Sequence, residues 1–449
     1  MTRRARIALI GAGIVVLLLA LSLRMILQPE RFTRTVIDRA GKALGLEITA
    51  SGGEYRLRGT PQLVVRDVVV REPGATTPML LAERALLSLP WSTIRARGDV
   101  LDATRIELDA PRLDVPALQH WLATRPKRET RIPTLTEGLR ITRGRIDNND
   151  ASGKGWRIDG IDVQLPSLVP GKPVNSRIKG RYVDPPNTVR FDVAISMTRP
   201  ENGAGLAMIG PVTVERAQWR IPGYIRLSGP LHVGKDDVRL SPARLGMSAR
   251  FMSTNSGSGD TDLPFVLGLH GSLLFDEGTW ALAPAGLVLR GRGEDSVLPD
   301  LQARGALALG RRLVVQLQGR IAAWPQAWPS LPPPIGQSTS PLPVALDYVG
   351  KPDLSGIARL QLQRDATRFN GRFRAFEVAA WVAEQGSGSP LPPLDGTIST
   401  PRVEIAGAQL EGIEIVLDEP TLDESTLDES TLDGRALDER GLPAMESTP

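Results

Sequence analysis

The chain has no cysteine, which removes disulfides, thiolate metal sites and cysteine nucleophiles together. That absence is equally at home in cytoplasm and periplasm. Aromatic residues make up only 4% of the 449 residues, too few for one thick globular core. Histidine is almost missing: His120, His232 and His270 are the three, and none has a second His, Asp or Glu at i+3 or i+4 on a helical stretch. Paired metal ligands or a helical general base are therefore not written locally. No GxSxG elbow, Walker loop or GxGxxG follows a strand, and "RGRGED" (290–295) has two glycines and no helix after it. "DNNDASGKG" (147–155) lacks the alternating acidic ligands and closing Glu of a calcium loop, so it reads as a hairpin loop. Arg97-Gly98-Asp99 spells an adhesion tripeptide that occurs by chance in many chains. The expectation is no enzyme: no catalytic residue, no cofactor and no metal.

Charge of one sign is also scarce where nucleic acid would need it. The formal net charge is +4, but residues 418–449 hold ten acids against Arg435 and Arg440, while residues 1–42 carry eight Arg or Lys against Glu30 and Asp38. The body between them is only mildly basic, with no Lys/Arg run interleaved with aromatics, so nucleic acid is not expected as a partner.

What the chain does contain begins with a membrane signal. Arg3, Arg4 and Arg6 precede an uncharged run from Ile7 to Leu23, extended to Leu27 past Arg24. Its length just spans a bilayer, and the one cleavage-like triplet, Ala20-Leu21-Ser22, is poor. An uncleaved anchor at 7–27 after a tail at 1–6 is the preferred reading; a cleaved signal peptide is the other. Over 28–45, Phe32, Val36, Ala40 and Leu44 recur every fourth residue among charges, the pattern of an amphipathic linker helix. Its stripe suits either the membrane surface or the first strands of the body.

From residue 46 to 417 nearly everything reads as strand. Gly and Pro number 45 and 37, roughly 18% of the chain against about 12% in an average one, so turns are frequent. "QLVVRDVVV" (62–70) is dense in β-branched residues, and "RIELDAPRLDV" (105–115) alternates until Pro111, then resumes on the opposite parity. Helical patterns are short, at 116–125 and 376–385, and no helices alternate with strands as a βαβ parallel sheet requires. Loop composition at 253–262 and 329–343 suggests insertions or boundaries. The repeat "TLDESTLDESTLDG" marks 418–449 as an acidic tail that cannot bury enough apolar area to order itself.

One unit occurs twice. "IDGIDVQL" at 158–165 and "LEGIEIVL" at 410–417 share an apolar–acid–Gly–Ile–acid–apolar order. After each Gly the alternation puts Ile161, Val163 and Leu165, or Ile413, Ile415 and Leu417, on one face. Ile106 and Leu108 do the same in 105–115. These apolar faces cover either the opposing strands of a closed sandwich or barrel, or something that is not protein.

"LEITASGGEYRLRGTPQLVVRDVVVRE" followed by "LLAERALLSLPWSTIRARGDVLDATRIELDAPRLDV" and the Gly-Ile-acid units resembles the AsmA-like family of Gram-negative envelope proteins, relatives of TamB and YhdP. Leu63–Val70, Leu86–Trp91 and Ile106–Leu113 carry the likeness, which is good over 1–170 and looser beyond. The resemblance implies an elongated antiparallel β-sheet curled into an open groove, a β-taco, whose apolar concave face carries phospholipid acyl chains. It also implies an inner-membrane anchor, a periplasmic body at 46–417, a passive role in lipid transfer, and no catalytic residues. On this reading Ile106, Leu108, Ile161, Val163, Leu165, Ile413, Ile415 and Leu417 are the candidate groove lining. The partners are phospholipid or another lipid, the inner membrane and envelope proteins. A membrane-anchored scaffold for envelope assembly is the alternative.

Overall fold

The computed structural model describes most of residues 44–418, together with 33, 37–39 and 41–42. Outside the described residues lie 1–32, 34–36, 40, 43, 97–101, 125–132, 150–152, 201–202, 218, 235–236, 256–258, 277, 293–297, 326–339, 353, 376, 379–392, 406–407 and 419–449. The expected tail at 1–6, anchor at 7–27, most of the linker helix at 28–45 and nearly all of the acidic tail therefore fall outside them, as does most of the 329–343 loop.

The chain is mainly β. In order it runs β1 (Glu47–Thr49), β2 (Gly52–Arg56), β3 (Gln62–Arg71), β4 (Leu80–Ser88), α1 (Trp91–Arg95), β5 (Asp102–Ala103), β6 (Arg105–Asp109), β7 (Arg112–Asp114), α2 (Val115–Thr124), β8 (Thr134–Leu135), β9 (Leu139–Asn149) and β10 (Gly155–Leu165). It continues as β11 (Val174–Asp184), β12 (Asn187–Met197), β13 (Ala204–Arg216), β14 (Trp219–Val233), β15 (Asp237–Asn255), β16 (Gly259–Asp276) and β17 (Thr279–Gly291). The last strands are β18 (Leu301–Leu309), β19 (Leu313–Ile321), β20 (Leu342–Gly350), β21 (Ile357–Arg364), β22 (Thr367–Arg374), β23 (Leu394–Ile405) and β24 (Ala408–Leu417). All but β5 and β8 belong to one sheet of 22 strands. From β9 to β24 every strand pairs antiparallel with its sequence neighbour.

Turn chemistry explains the meander. The pairs Asp184↔Asn187, Arg216↔Trp219, Asp276↔Thr279 and Arg364↔Thr367 each close a hairpin over two residues, the tightest antiparallel connection. Gly278 and Asp365 supply the positive φ that two of these turns use, at +81° and +54°. The 147–155 segment is likewise a hairpin end, with Gly155 opposite Asn149.

Two local expectations need correction. The 253–262 stretch, read as a loop, is paired almost to its tip, with Ser253↔Thr261, Thr254↔Asp260 and Asn255↔Gly259. Antiparallel ladder bonds outweigh its low strand propensity, which is the usual tertiary override. The sheet also holds a parallel unit: β6 and β7 pair parallel with β9 across α2, and β5 with β8 beside it. A single crossover helix suffices for this, although the sequence shows no run of alternating helices and strands.

Packed cores sit near the two ends of the sheet. Leu46, Val65, Val68, Val70, Met79 and Ala82 form one, covered by Ala117, Leu118 and Trp121 of α2 and by Ile37. Residues 37–39 are helical, and Thr33 is buried against Gly53 of β2, so the described part of the linker packs onto the first strands. Ile321, Leu342, Leu362, Phe369 and Ile398 form the other, flanked by Trp324 and Leu394.

Candidate functional site

Residues opposite one another in register project to the same side of a sheet, so the pairings sort every strand into two faces. One face is mainly apolar along the sheet, with Arg364, Thr367 and Thr400 as buried polar exceptions near the far edge. Leu87, Ile106, Leu139 and Leu165 form one cross-strand row, and Ala85, Leu108, Ile141 and Val163 the next. The row then passes through Ile178 and Val193. Further on, Leu227, Leu245, Leu269, Leu287 and Ala303 continue the same surface. At the far edge Leu362, Phe369, Ile398 and Ile415 complete it.

The candidate residues thus divide into two groups. Ile106, Leu108, Ile161, Val163 and Leu165 are neighbours on β6 and β10, bridged by β9. Ile413, Ile415 and Leu417 occupy the same face on edge strand β24, far along the sheet. Ile161 is 9% exposed, whereas Ile415 is 41% exposed. The larger middle of the face, from β12 to β18, was not singled out from the sequence. Its period-two alternation in "RFDVAIS", "YIRLSGPLHV" and "GLVLRGRG" carried the signal.

The duplicated unit has a backbone meaning. Gly160 and Gly412 both adopt left-handed conformations, with φ of +61° and +66°. A left-handed residue breaks strict alternation, so Ile158 and Ile161, three apart, share a face, as do Leu410 and Ile413. The same step recurs with Asp67 between Val65 and Val68, and with Arg143 between Ile141 and Gly144. Ala110, at +47°, turns the chain between Leu108 and Leu113 and accounts for the change of parity after Pro111. These positions lie close to one level of the register and form a crease across β3 to β10. A second line, Gly229, Ala243, Gly271, Ala285 and Gly305, crosses β14 to β18 on the apolar face, and a Cβ added at any of its three glycines would run into the backbone of the next strand.

The opposite face is ionic over the first half of the sheet. Arg84 reaches Glu107 and Asp109, each at 3.2 Å. Arg177 holds Asp192 through Nε and Nη2 at 2.7 and 2.8 Å. Asp159 lies among Arg157 at 2.9 Å, Arg181 at 3.4 Å and Arg145 at 3.8 Å. Burial works against the Asp159 charge, but the Arg157 hydrogen bond and the surrounding guanidiniums prevail and lower its pKa. At Asp109 the hydrogen bond from Thr142 Oγ1, 2.6 Å long, is the main cause of a lowered pKa; burial opposes it, and Arg84 reinforces it. Such exposed pairs are individually weak, so their effect is to fix which face meets water.

The histidines lie apart from one another on β14, β16 and α2. His120 Nε2 is 3.6 Å from Glu72 on an exposed surface, and His232 and His270 project from the polar face. Tyr182, stacked at 5.7 Å on Trp156, has its phenol pKa pushed up to about 12 by burial and by Asp184.

Among the described residues no group of three or more His, Asp or Glu is placed to hold a metal ion. Against known proteins, no family model, no curated protein and no solved structure matches this chain.

Proposed function

We propose that the apolar face lines an open groove, a β-taco, that binds phospholipid acyl chains or similar hydrophobic molecules and passes them along the cell envelope. The observation that carries this reading is the middle of the face. Leu227, Leu245, Leu269 and Leu287 occupy its inner rows, yet each remains half-buried rather than buried. In a closed sandwich of this size, interdigitating side chains would take such leucines fully out of water. Acyl chains supply the missing half of the contact. Their burial is worth about 0.8 kcal/mol per methylene, enough to retain a lipid through purification.

The anchor at 7–27 would hold the chain in the inner membrane with residues 46–417 in the periplasm. An alkaline phosphatase domain joined after Val115 is then active in cells, and an inactive fusion would refute the topology. For the groove, organic extracts of the purified full chain analysed by mass spectrometry contain phospholipid in stoichiometric amount; extracts free of lipid would remove the proposal. A scaffold role draws on a different feature, the exposed edge strand β24, where Val416 is 70% exposed. That role is favoured if the purified chain holds a protein partner on this edge and carries no lipid.

A further inference from the structure

The polar face changes character along the sheet. Up to β13 many of its cations are ion-paired: Arg66 with Glu54, Arg143 with Glu83, Arg177 with Asp192, Arg190 with Glu215. From β14 to β18 the acids retreat to the hairpin ends, where Asp237 meets Arg239 and Asp262 meets Arg250. Arg226, Arg244 and Arg304 in mid-strand, and Arg290 near the end of β17, are exposed, and no carboxylate among the described residues lies within ion-pair distance of them. Arg244 is opposite His270, His270 is opposite Gly286, and Gly286 is opposite Arg304, so three basic side chains share one cross-strand row. The His270 ring occupies the space a Gly286 side chain would fill, which lays the imidazole toward Arg304.

The same chain carries the opposite charge in one segment. Residues 418–449 have a net charge of −8, and the acid pairs Asp423-Glu424 and Asp428-Glu429 recur every fifth residue, followed by Asp433. Extended, five residues span up to about 17 Å. Arg244 and Arg304 stand three strands apart, about 14 Å. The segment leaves β24 at Asp418, six strands from β18, a distance of about 29 Å along the sheet. Its 31 residues beyond Asp418 reach up to about 100 Å, so length is no obstacle. Tethering also gives the segment a local concentration on the order of millimolar, which compensates for the weakness of exposed charge pairs.

We propose that the acidic segment 419–449 docks across the basic row Arg244–His270–Arg304 on the polar face of this sheet, as an intramolecular electrostatic strap. This is independent of the groove, because it uses the other face.

The absence of cysteine makes the test clean. Spin labels placed through Gln316→Cys, exposed beside the row, and Ser430→Cys are read in the full chain by dipolar electron spin resonance. The expected result is a short, narrow distance distribution. It should broaden and lengthen in Arg244→Glu/Arg304→Glu, and also in about 0.5 M salt, where the screening length falls to a few ångströms. Reversing Arg66, far along the face, should leave it unchanged. Both substituted arginines are exposed, so the thermal transition is expected to stay at the parental value and to confirm that the variant folds. A distribution that is broad from the outset, or that ignores the double reversal, overturns the proposal. A membrane is the competing use of the row. Replacing the tail acids by Asn and Gln should increase binding of the full chain to vesicles rich in anionic lipid, by uncovering the row; unchanged vesicle binding also overturns the strap.

Discussion

The same substitution placed at two points of one face separates an open groove from a closed core. Phe369→Asp enters a packed cluster: Phe369 is 6% exposed among Leu362, Leu342 and Ile398. Losing the ring costs about 3–5 kcal/mol, and an unpaired carboxylate buried in its place adds several more or is protonated. Leu269→Asp enters the middle of the face, between Leu245 and Leu287, where the parent leucine is only half-buried. Half of a leucine transfer is about 1 kcal/mol, and water reaching the new carboxylate from the open side leaves little further penalty. The expected gap between the two variants is therefore at least about 3 kcal/mol, more than a hundredfold in the local opening equilibrium. Long repetitive sheets open in parts, so hydrogen exchange measured separately over β16 and β22 is the suitable readout. Bound phospholipid is quantified in parallel. Leu269→Asp should retain protection in β16 and lose lipid, while Phe369→Asp should lose protection in β22. Equal loss of protection at both sites would mean that the face is closed and the groove reasoning wrong. Full lipid occupancy in a folded Leu269→Asp would exclude that row from the conduit.

Gly160→Val forces a β-branched residue to φ near +61° and should cost about 1–2 kcal/mol, seen as faster exchange in β10; an unchanged rate would show that the crease tolerates ordinary backbone. The lowered carboxylate pKa values at Asp109, Asp159 and Asp192 have a definite sign. Their stabilisation is fully present above the unfolded value of about 3.9 and is lost as the pH falls through the lower folded values. Asp159→Asn should therefore flatten the acid limb of a stability–pH curve and leave the curve's shape near pH 7 unchanged; a change of shape confined to neutral pH would contradict the assignment.

Strand character was legible because it rests on alternation, and Ile161, Val163 and Leu165 fall on the face their spacing assigns. The creases were legible only in part. Gly160 and Gly412 announce a left-handed position because glycine alone adopts it without steric cost. Asp67 and Arg143 adopt it too, but neither side chain carries that information, and their strain is offset by neighbours brought close only by folding. Arg143 shows how: its backbone N–H donates to Asp162 Oδ1 at 3.1 Å, from the next strand. The hairpin at 253–262 was hidden for the converse reason, since Ser, Gly, Asn and Asp favour loops and only the long ladder of β15 and β16 overrides them. The parallel pairing of β6 with β9 depends on where α2 lands, which no local pattern encodes. Of the candidate residues, the clustering of Ile106 and Leu108 with the β10 set required the register of β9.

The nearest-neighbour order of β9 to β24 makes the length of this sheet adjustable in discrete steps. Each hairpin bonds only to the strand before it and the strand after it. Duplicating or deleting one therefore lengthens or shortens the sheet by about 10 Å and leaves every remaining register intact. Recombination within such a gene would act on reach as on a ruler marked in hairpins, while the apolar and polar sides stay in phase because an even number of strands is always exchanged.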